Sequence, residues 1–302
     1  MAKALHSRWL QLIIILSSTI FNKTTKLLNV GCGLKIAKNG NWTNIDMGTQ
    51  STANVIRCNL LNGFPFGDDE FDVVYHSQVL EHFPKDKSAY FIAECFRVLK
   101  PGGILRVVVP DLEDIARTYL DQLQALRTRP TQESEVRYDW ILLEMYDQTV
   151  RNFSGGDMAI YLQNLDRGKI SFIEDRIGRV GRSIVESVIP RTTPAISKSN
   201  NFVKSTLRSL RDSLLPQLKT MKQKEILSTE LENIGRFRRG GEIHYWMYDE
   251  YSLMRLLKQA GFQNIKRMSA DSSMVDQWTS FQLDIIDGHV CDPTSLFMEA
   301  IK

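Results

Sequence analysis

From residue 27 onward, short runs of strand-forming residues recur, and each stops at a turn or an acid. They are Leu27–Val30 before Gly31-Cys32-Gly33, then Trp42–Asp46, Val55–Cys58, Glu70–Tyr75 and Ile104–Val109. Each is four to six residues long. That is too short for a helix and suits strands buried within a sheet. Between the fourth and fifth runs, Phe91, Ile92, Cys95, Phe96 and Leu99 recur at helical spacing. The spacing predicts a helix over 88–99, stopped by Lys100-Pro101-Gly102-Gly103. Strands alternating with a helical segment predict a parallel sheet covered on both faces.

After Asp111 the rhythm breaks. Residues 112–240 carry helical patterns and no convincing strand, with one apolar stripe at Val136, Trp140, Leu143 and Val150. A second runs through Leu207, Leu210, Leu214, Leu218 and Met221. The stretch from Arg176 to Arg239 holds 14 Lys/Arg against 5 Asp/Glu, although the whole chain is only +3. Strand and helix patterns resume at Asp249: a helix over 251–259 ended by Gly261, a strand over 262–268 and a last strand over 295–301. The predicted fold class is α/β. It is a Rossmann-like doubly wound sheet with an antiparallel strand pair at its C-terminal end and a large helical insertion after the fifth strand. The expected division is an N-terminal extension over 1–26, a core of 27–111 with 241–302, and the insertion 112–240 as an acceptor-binding lid.

A net charge of +3 in 302 residues does not by itself point to a nucleic-acid binder. Cys32, Cys58, Cys95 and Cys291 form no CxxC pair, so they read as reduced thiols of a cytoplasmic protein and not as a zinc site. The apolar segment Trp9–Phe21 has a continuous run of only five residues, Leu12–Leu16. A spanning helix needs about 20. The segment is expected to pack as a short element on the domain edge, with a peripheral membrane contact as the alternative.

A strand ending in Gly31-Cys32-Gly33 lets the backbone approach a ligand closely. Asp46 ends the second strand, where an acid can accept from two ribose hydroxyls. Asn59-Leu60 follows the third, where a polar side chain can read an adenine amine. Then come Phe64-Pro65-Phe66-Gly67-Asp68, Phe71-Asp72-Val73-Val74, Ser77-Gln78-Val79-Leu80-Glu81-His82 and Arg97-Val98-Leu99-Lys100-Pro101-Gly102-Gly103. In this order the segments resemble a class I S-adenosylmethionine-dependent methyltransferase, and Leu257-Lys258-Gln259-Ala260-Gly261-Phe262 with the final strand resembles the end of that fold. GEIHYWMY over 241–248 and LDIIDGHVCDPTS over 283–295 resemble a bacterial subgroup associated with polysaccharide biosynthesis.

The resemblance implies S-adenosylmethionine as cofactor. It assigns Gly31, Cys32, Gly33, Asp46, Asn59, Leu60, Ser77 and Gln78 to its pocket. Two positions depart from the family pattern: Lys35 stands where many members carry a third glycine, and Asn59 replaces the usual aspartate. An asparagine carbonyl still accepts a hydrogen bond. A hydroxyl acceptor gains from a nearby base. Glu81, His82, Asp111 and His244 are candidates, and the last three are taken as catalytic. Tyr245 and Trp246 beside His244 would suit stacking on a sugar. Glu144, Asp147, Gln148 and Arg151 share one helical face. That row and Ser154-Gly155-Gly156-Asp157 read as a solvated face or an acceptor contact. Arg236, Arg238 and Arg239 are expected to dock an anionic acceptor. The expected acceptor is a small molecule or the sugar of a glycan precursor, with nucleic acid disfavoured. A cofactor-binding module without catalysis, or an RNA methyltransferase using the basic insertion, are the alternatives.

Overall fold

The computed structural model describes residues 25–37, 41–48, 54–188 and 228–302. The N-terminal apolar segment, the Leu207–Met221 stripe and most of the basic stretch lie outside these residues. By internal packing the chain divides into two units: residues up to 113 with 246–302, and 114–245.

The first unit holds strands β1 (Leu27–Val30), β2 (Trp42–Asp46), β3 (Val55–Arg57), β4 (Phe71–Ser77) and β5 (Leu99–Pro110), with helix α1 (Lys85–Val98) between β4 and β5. β5 leads into α2 (Leu112–Thr128), most of which lies in the second unit. The second unit continues with α3 (Gln132–Val150), α4 (Gly156–Asn164), α5 (Ser171–Val188) and a helix over 228–238, here α6. The chain returns to the first unit with α7 (Glu250–Gln259), β6 (Gln263–Met268), the hairpin β7 (Ile285–Ile286) and β8 (His289–Val290), and β9 (Ser295–Ile301). The sheet has seven strands in the order β3-β2-β1-β4-β5-β9-β6. β1 to β5 pair in parallel, and β9 runs antiparallel to both β5 and β6. β9 alone is therefore reversed within this sheet, because β6 points the same way as β5. This is the α/β methyltransferase-type order, and it puts the C-terminal ends of β1, β2, β3 and β4 along one edge. In such sheets that edge is the ligand crevice.

One face of the sheet is covered by helices. Phe91, Ile92, Cys95 and Val98 of α1 and Leu253 and Leu257 of α7 pack on Leu28, Val30, Ile45, Val74, Leu105, Val107 and Met298. The other face is covered, among the described residues, by irregular chain from the C-terminal region. Trp278, Phe281, Leu283, Val275 and Ala270 pack on Leu27, Val73, Tyr75, Val108 and Phe297. Two local expectations are revised. The Lys100-Pro101-Gly102-Gly103 segment is extended and opens β5 instead of separating it from α1, since the Leu99 backbone already turns to β geometry at the helix end. No helix follows the glycine loop among the described residues. Residues 31–37 form a turn and irregular chain, held by the side chains of Asn29 and Asn44 from β1 and β2.

The second unit has its own small core of Trp140, Leu162 and Ile173, with Leu143, Met158, Tyr161 and Phe172 packed around it. α5 is interrupted at Gly178, whose φ of 59 is outside the helical region.

Candidate active site

The glycine loop is tied to β2 from its first residue. Gly31 and Cys32 both donate their N–H to the Ile45 carbonyl, at 2.8 and 3.2 Å. Gly33 N–H donates to Asp46 Oδ2 at 2.9 Å, and Gly48 N–H to Asp46 Oδ1 at 2.6 Å. The two glycines serve different ends. A Cβ on Gly31 would lie 2.5 Å from Val79 Cγ2, so its bare face admits the turn after β4. A Cβ on Gly33 would meet nothing within 4 Å, so that backbone is open to a ligand beside Asp46. Cys32 is buried between them, and burial, with Asp46 adding to it, pushes its thiol up to about 11. It is a neutral small residue, as the spacing suggests.

Lys35 has no counterpart in the third-glycine pattern, and the structure shows how it is placed. Asn29 Nδ2 donates to the Lys35 carbonyl at 2.8 Å and to Asn44 Oδ1 at 2.9 Å. Asn44 in turn holds Ala37 through both its N–H and its carbonyl. These buried amides do the work a helix would have done. The Lys35 ammonium donates to Ser77 Oγ at the end of β4, at 3.0 Å, and pairs with the Asp292 carboxylate.

Asn59 and Leu60 open a short turn of 3₁₀ helix. The Asn59 carbonyl accepts from Leu61 N–H at 3.1 Å, which is a local cap, and Leu60 is packed in the core. One lone pair of that carbonyl remains for a ligand amine. Gln78 has a φ of 57 and its amide donates to Ser295 Oγ at the start of β9, 2.9 Å away, so it braces the sheet.

Glu81 is fully buried, and neither carboxylate oxygen has a hydrogen-bond partner among the described residues. Burial raises its pKa to about 8, with the charges of Asp292 and Lys35 acting on it in opposite senses. At neutral pH it is mostly protonated, so it is not a base there. His82 is half-buried on the same turn. Asp111, expected to be catalytic, is buried with both carboxylate oxygens engaged. Its Oδ1 caps α2 through Glu113 N–H at 3.0 Å, and its Oδ2 accepts from Arg267 at 2.6 Å. Those partners hold it in place as part of the frame. Trp246 carries the Lys85 ammonium 3.8 Å above its ring.

The comparisons with known proteins agree with this geometry. A family model described as "Methyltransferase domain" matches residues 28–107. Residues 28–107 thus match a methyltransferase domain, in line with the resemblance read from their motifs. The chain is similar to a Mycolicibacterium smegmatis protein named "Probable S-adenosylmethionine-dependent methyltransferase", 32% identical over 136 residues, covering 45% of this chain and 47% of that protein. It is also similar to an uncharacterized protein of Haemophilus influenzae, 41% identical over 58 residues, 19% of this chain and 23% of that one. The matched part is thus less than half of each relative. A solved S-adenosylmethionine-dependent methyltransferase of Archaeoglobus fulgidus aligns over 98% of this chain and 94% of its own at 11% identity and a TM-score of 0.38. A likeness that low adds nothing to the topology above.

S-adenosylmethionine is the cofactor of this domain, and the residues present fit it. The methyltransferase domain offers an approachable backbone at Gly33 and a carboxylate at the end of β2. Each Asp46 oxygen takes one backbone N–H and keeps capacity for a hydroxyl.

His244 belongs to the second unit, where it is buried. Its N–H donates to the Gln148 carbonyl at 3.0 Å, and its Nε2 lies 3.3 Å from the Gln148 amide nitrogen. The polar row on α3 is neither solvated nor open. Glu144 is buried between Arg176 and Trp140 Nε1, and Arg176 also holds Asp114 at 2.9 Å. Asp147 is buried against Arg151 and caps α4 through Asp157 N–H at 2.7 Å. Gly156 is required there, because a Cβ would lie 2.4 Å from the Asp147 carboxylate. Arg238 is also structural: it donates to the carbonyls of Thr149, Val150 and Arg151 at the end of α3. Tyr245 is tied down through its hydroxyl to the Arg238 carbonyl.

Sequence reasoning missed the network under the sheet. Arg106 of β5 is fully buried and donates to Asp284 Oδ2 and Glu299 Oε1, each at 2.7 Å. Tyr75 donates to the other Asp284 oxygen at 2.6 Å, and Trp278 Nε1 to Oδ2 at 3.0 Å. Burial and the adjoining carboxylate push the Tyr75 phenol far up, so it stays a donor. The signal available was a polar pair, Arg106 and Glu299, set inside otherwise apolar strands.

Proposed function

We propose that the protein transfers the methyl group of S-adenosylmethionine to a small-molecule or sugar acceptor, at a hydroxyl or carboxylate of a glycan precursor. One observation carries the cofactor side of this reading: the open Gly33 backbone and the Asp46 carboxylate meet at the C-terminal edge of β1 and β2 inside the matched domain. S-adenosylmethionine supplies an electrophilic methyl on a sulfonium, and the protein's share is largely to place the acceptor in line with it. Asp46 orients the ribose and Asn59 the adenine. Gly31 lets the Val79 turn close against the loop. His82, on the turn after β4, takes the acceptor's proton, since Glu81 is mostly protonated at neutral pH and Asp111 is held by Arg267. His244 is kept as a second proton carrier on the segment that ends the insertion.

The acceptor class rests on the 241–248 and 283–295 segments and on the basic charge of 176–239. The subgroup those segments resemble is associated with polysaccharide biosynthesis. Among the described residues no helix is long and apolar enough to cross a membrane. The test is to incubate purified protein with cell extract and isotopically labelled S-adenosylmethionine and follow the label by mass spectrometry. A labelled sugar or small metabolite supports the reading. Label in RNA alone, or no S-adenosylhomocysteine formed with any fraction, rejects it.

A further inference from the structure

The Lys35–Asp292 pair is not explained by the fold. It joins the glycine loop to the C-terminal segment across 257 positions. Both side chains are largely buried, 14% and 19% exposed, at the edge where the ends of β1 and β4 meet. Partly buried charges need partners of opposite sign. Each of these has one, with Ser77 Oγ as a further acceptor for the ammonium.

The two halves are held independently. On one side Asn29 fixes the Lys35 backbone from β1. On the other the hairpin β7–β8 and its neighbours fix Asp292. Cys291 N–H donates to the Asp284 carbonyl at 2.8 Å, and Asp284 is the residue gripped by Arg106, Tyr75 and Trp278. Ser295 N–H returns to the Asp292 carbonyl at 3.3 Å. A cation and an anion are thus presented side by side from two rigid supports, next to the loop that approaches the ligand. That arrangement is complementary to a group carrying both charges.

We propose that Lys35 and Asp292 bind the α-amino-acid end of S-adenosylmethionine, Lys35 taking the carboxylate and Asp292 the ammonium. The C-terminal segment 284–295 is then the strap that closes this end of the pocket. In the ligand-free protein the two side chains neutralise each other, and the zwitterion exchanges one ion pair for two. The inference rests on the cofactor assignment above and adds the residues that read its charged end.

The test compares two probes by calorimetry. S-adenosylhomocysteine has the amino-acid end, whereas 5′-methylthioadenosine has the nucleoside and thioether without it. Lys35→Met and Asp292→Asn are each expected to weaken S-adenosylhomocysteine about 10- to 100-fold, the scale of a hydrogen-bonded charge contact. Binding of methylthioadenosine should stay within about twofold. It also reports that the variant has kept its pocket. Equal losses for both probes, or no loss for S-adenosylhomocysteine, overturn the proposal. If the unmodified protein binds neither probe, the cofactor reading itself is wrong, and the proposal goes with it.

Discussion

Replacing Glu81 by glutamine should remove a pH dependence from the stability of the fold. Glu81 is fully buried with no hydrogen-bond partner for either oxygen among the described residues, and burial raises its pKa from 4.5 to about 8. In the unfolded chain the carboxyl returns to its ordinary value. Between these two values the folded state holds a proton that the unfolded state has released. Stability therefore falls as pH rises from the lower value, and levels off once pH passes the upper one. At about 1.36 kcal/mol per pKa unit the whole window is worth about 5 kcal/mol, of which about 4 kcal/mol falls between pH 5 and pH 9. Glutamine has no ionisation there, so any fixed difference in packing or hydrogen bonding shifts its curve without tilting it. Urea unfolding of both proteins at several pH values gives the two curves. The wild type should lose about 4 kcal/mol relative to Glu81→Gln from pH 5 to pH 9. Parallel curves would show that Glu81 is hydrated or ion-paired in the folded protein and refute the argument.

Other outcomes follow from the same geometry. Asp46→Ala should lose cofactor affinity by at least about tenfold while keeping its melting temperature within a few degrees, read by calorimetry and thermal unfolding. Gly31→Ala places a methyl against Val79 at a positive φ and should destabilise the protein by about 1–3 kcal/mol. Adding Val79→Ala should recover part of that, measured as a double-mutant cycle in urea. Asp284→Ala removes one of the two carboxylates on buried Arg106 and leaves the Tyr75 hydroxyl and Trp278 Nε1 without their acceptor, and should cost about 3–5 kcal/mol in urea unfolding. For the acceptor, Arg236→Ala with Arg239→Ala should raise the apparent KM at unchanged cofactor affinity. Arg238 is left intact in that variant because it holds the end of α3.

The sequence by itself determined the strands and their order of use. β1, β2 and β9 occupy the residues expected of them, because each is a short run bounded by a turn or a break that ends strand pairing regardless of context. Gly33 and Asp46 were legible for the same reason: each sits at a strand end, where residue type and position already state the chemistry. Tertiary structure decided what no local pattern encodes. Whether Asp111 is a base or a frame residue depends on Arg267, which is 156 positions away. Whether Glu144 and Asp147 face water depends on Arg176 and Arg151 turning inward to meet them. The cover over the second face of the sheet has no helical or strand period, so local pattern does not place residues 269–294. Its order comes from Asp284 meeting Arg106 across 178 positions. Lys35 read as a missing glycine until Asp292 was brought to it. Charge pairs of that kind are set by distance in space, which backbone periodicity does not record, so their partners became visible only once the sheet had closed.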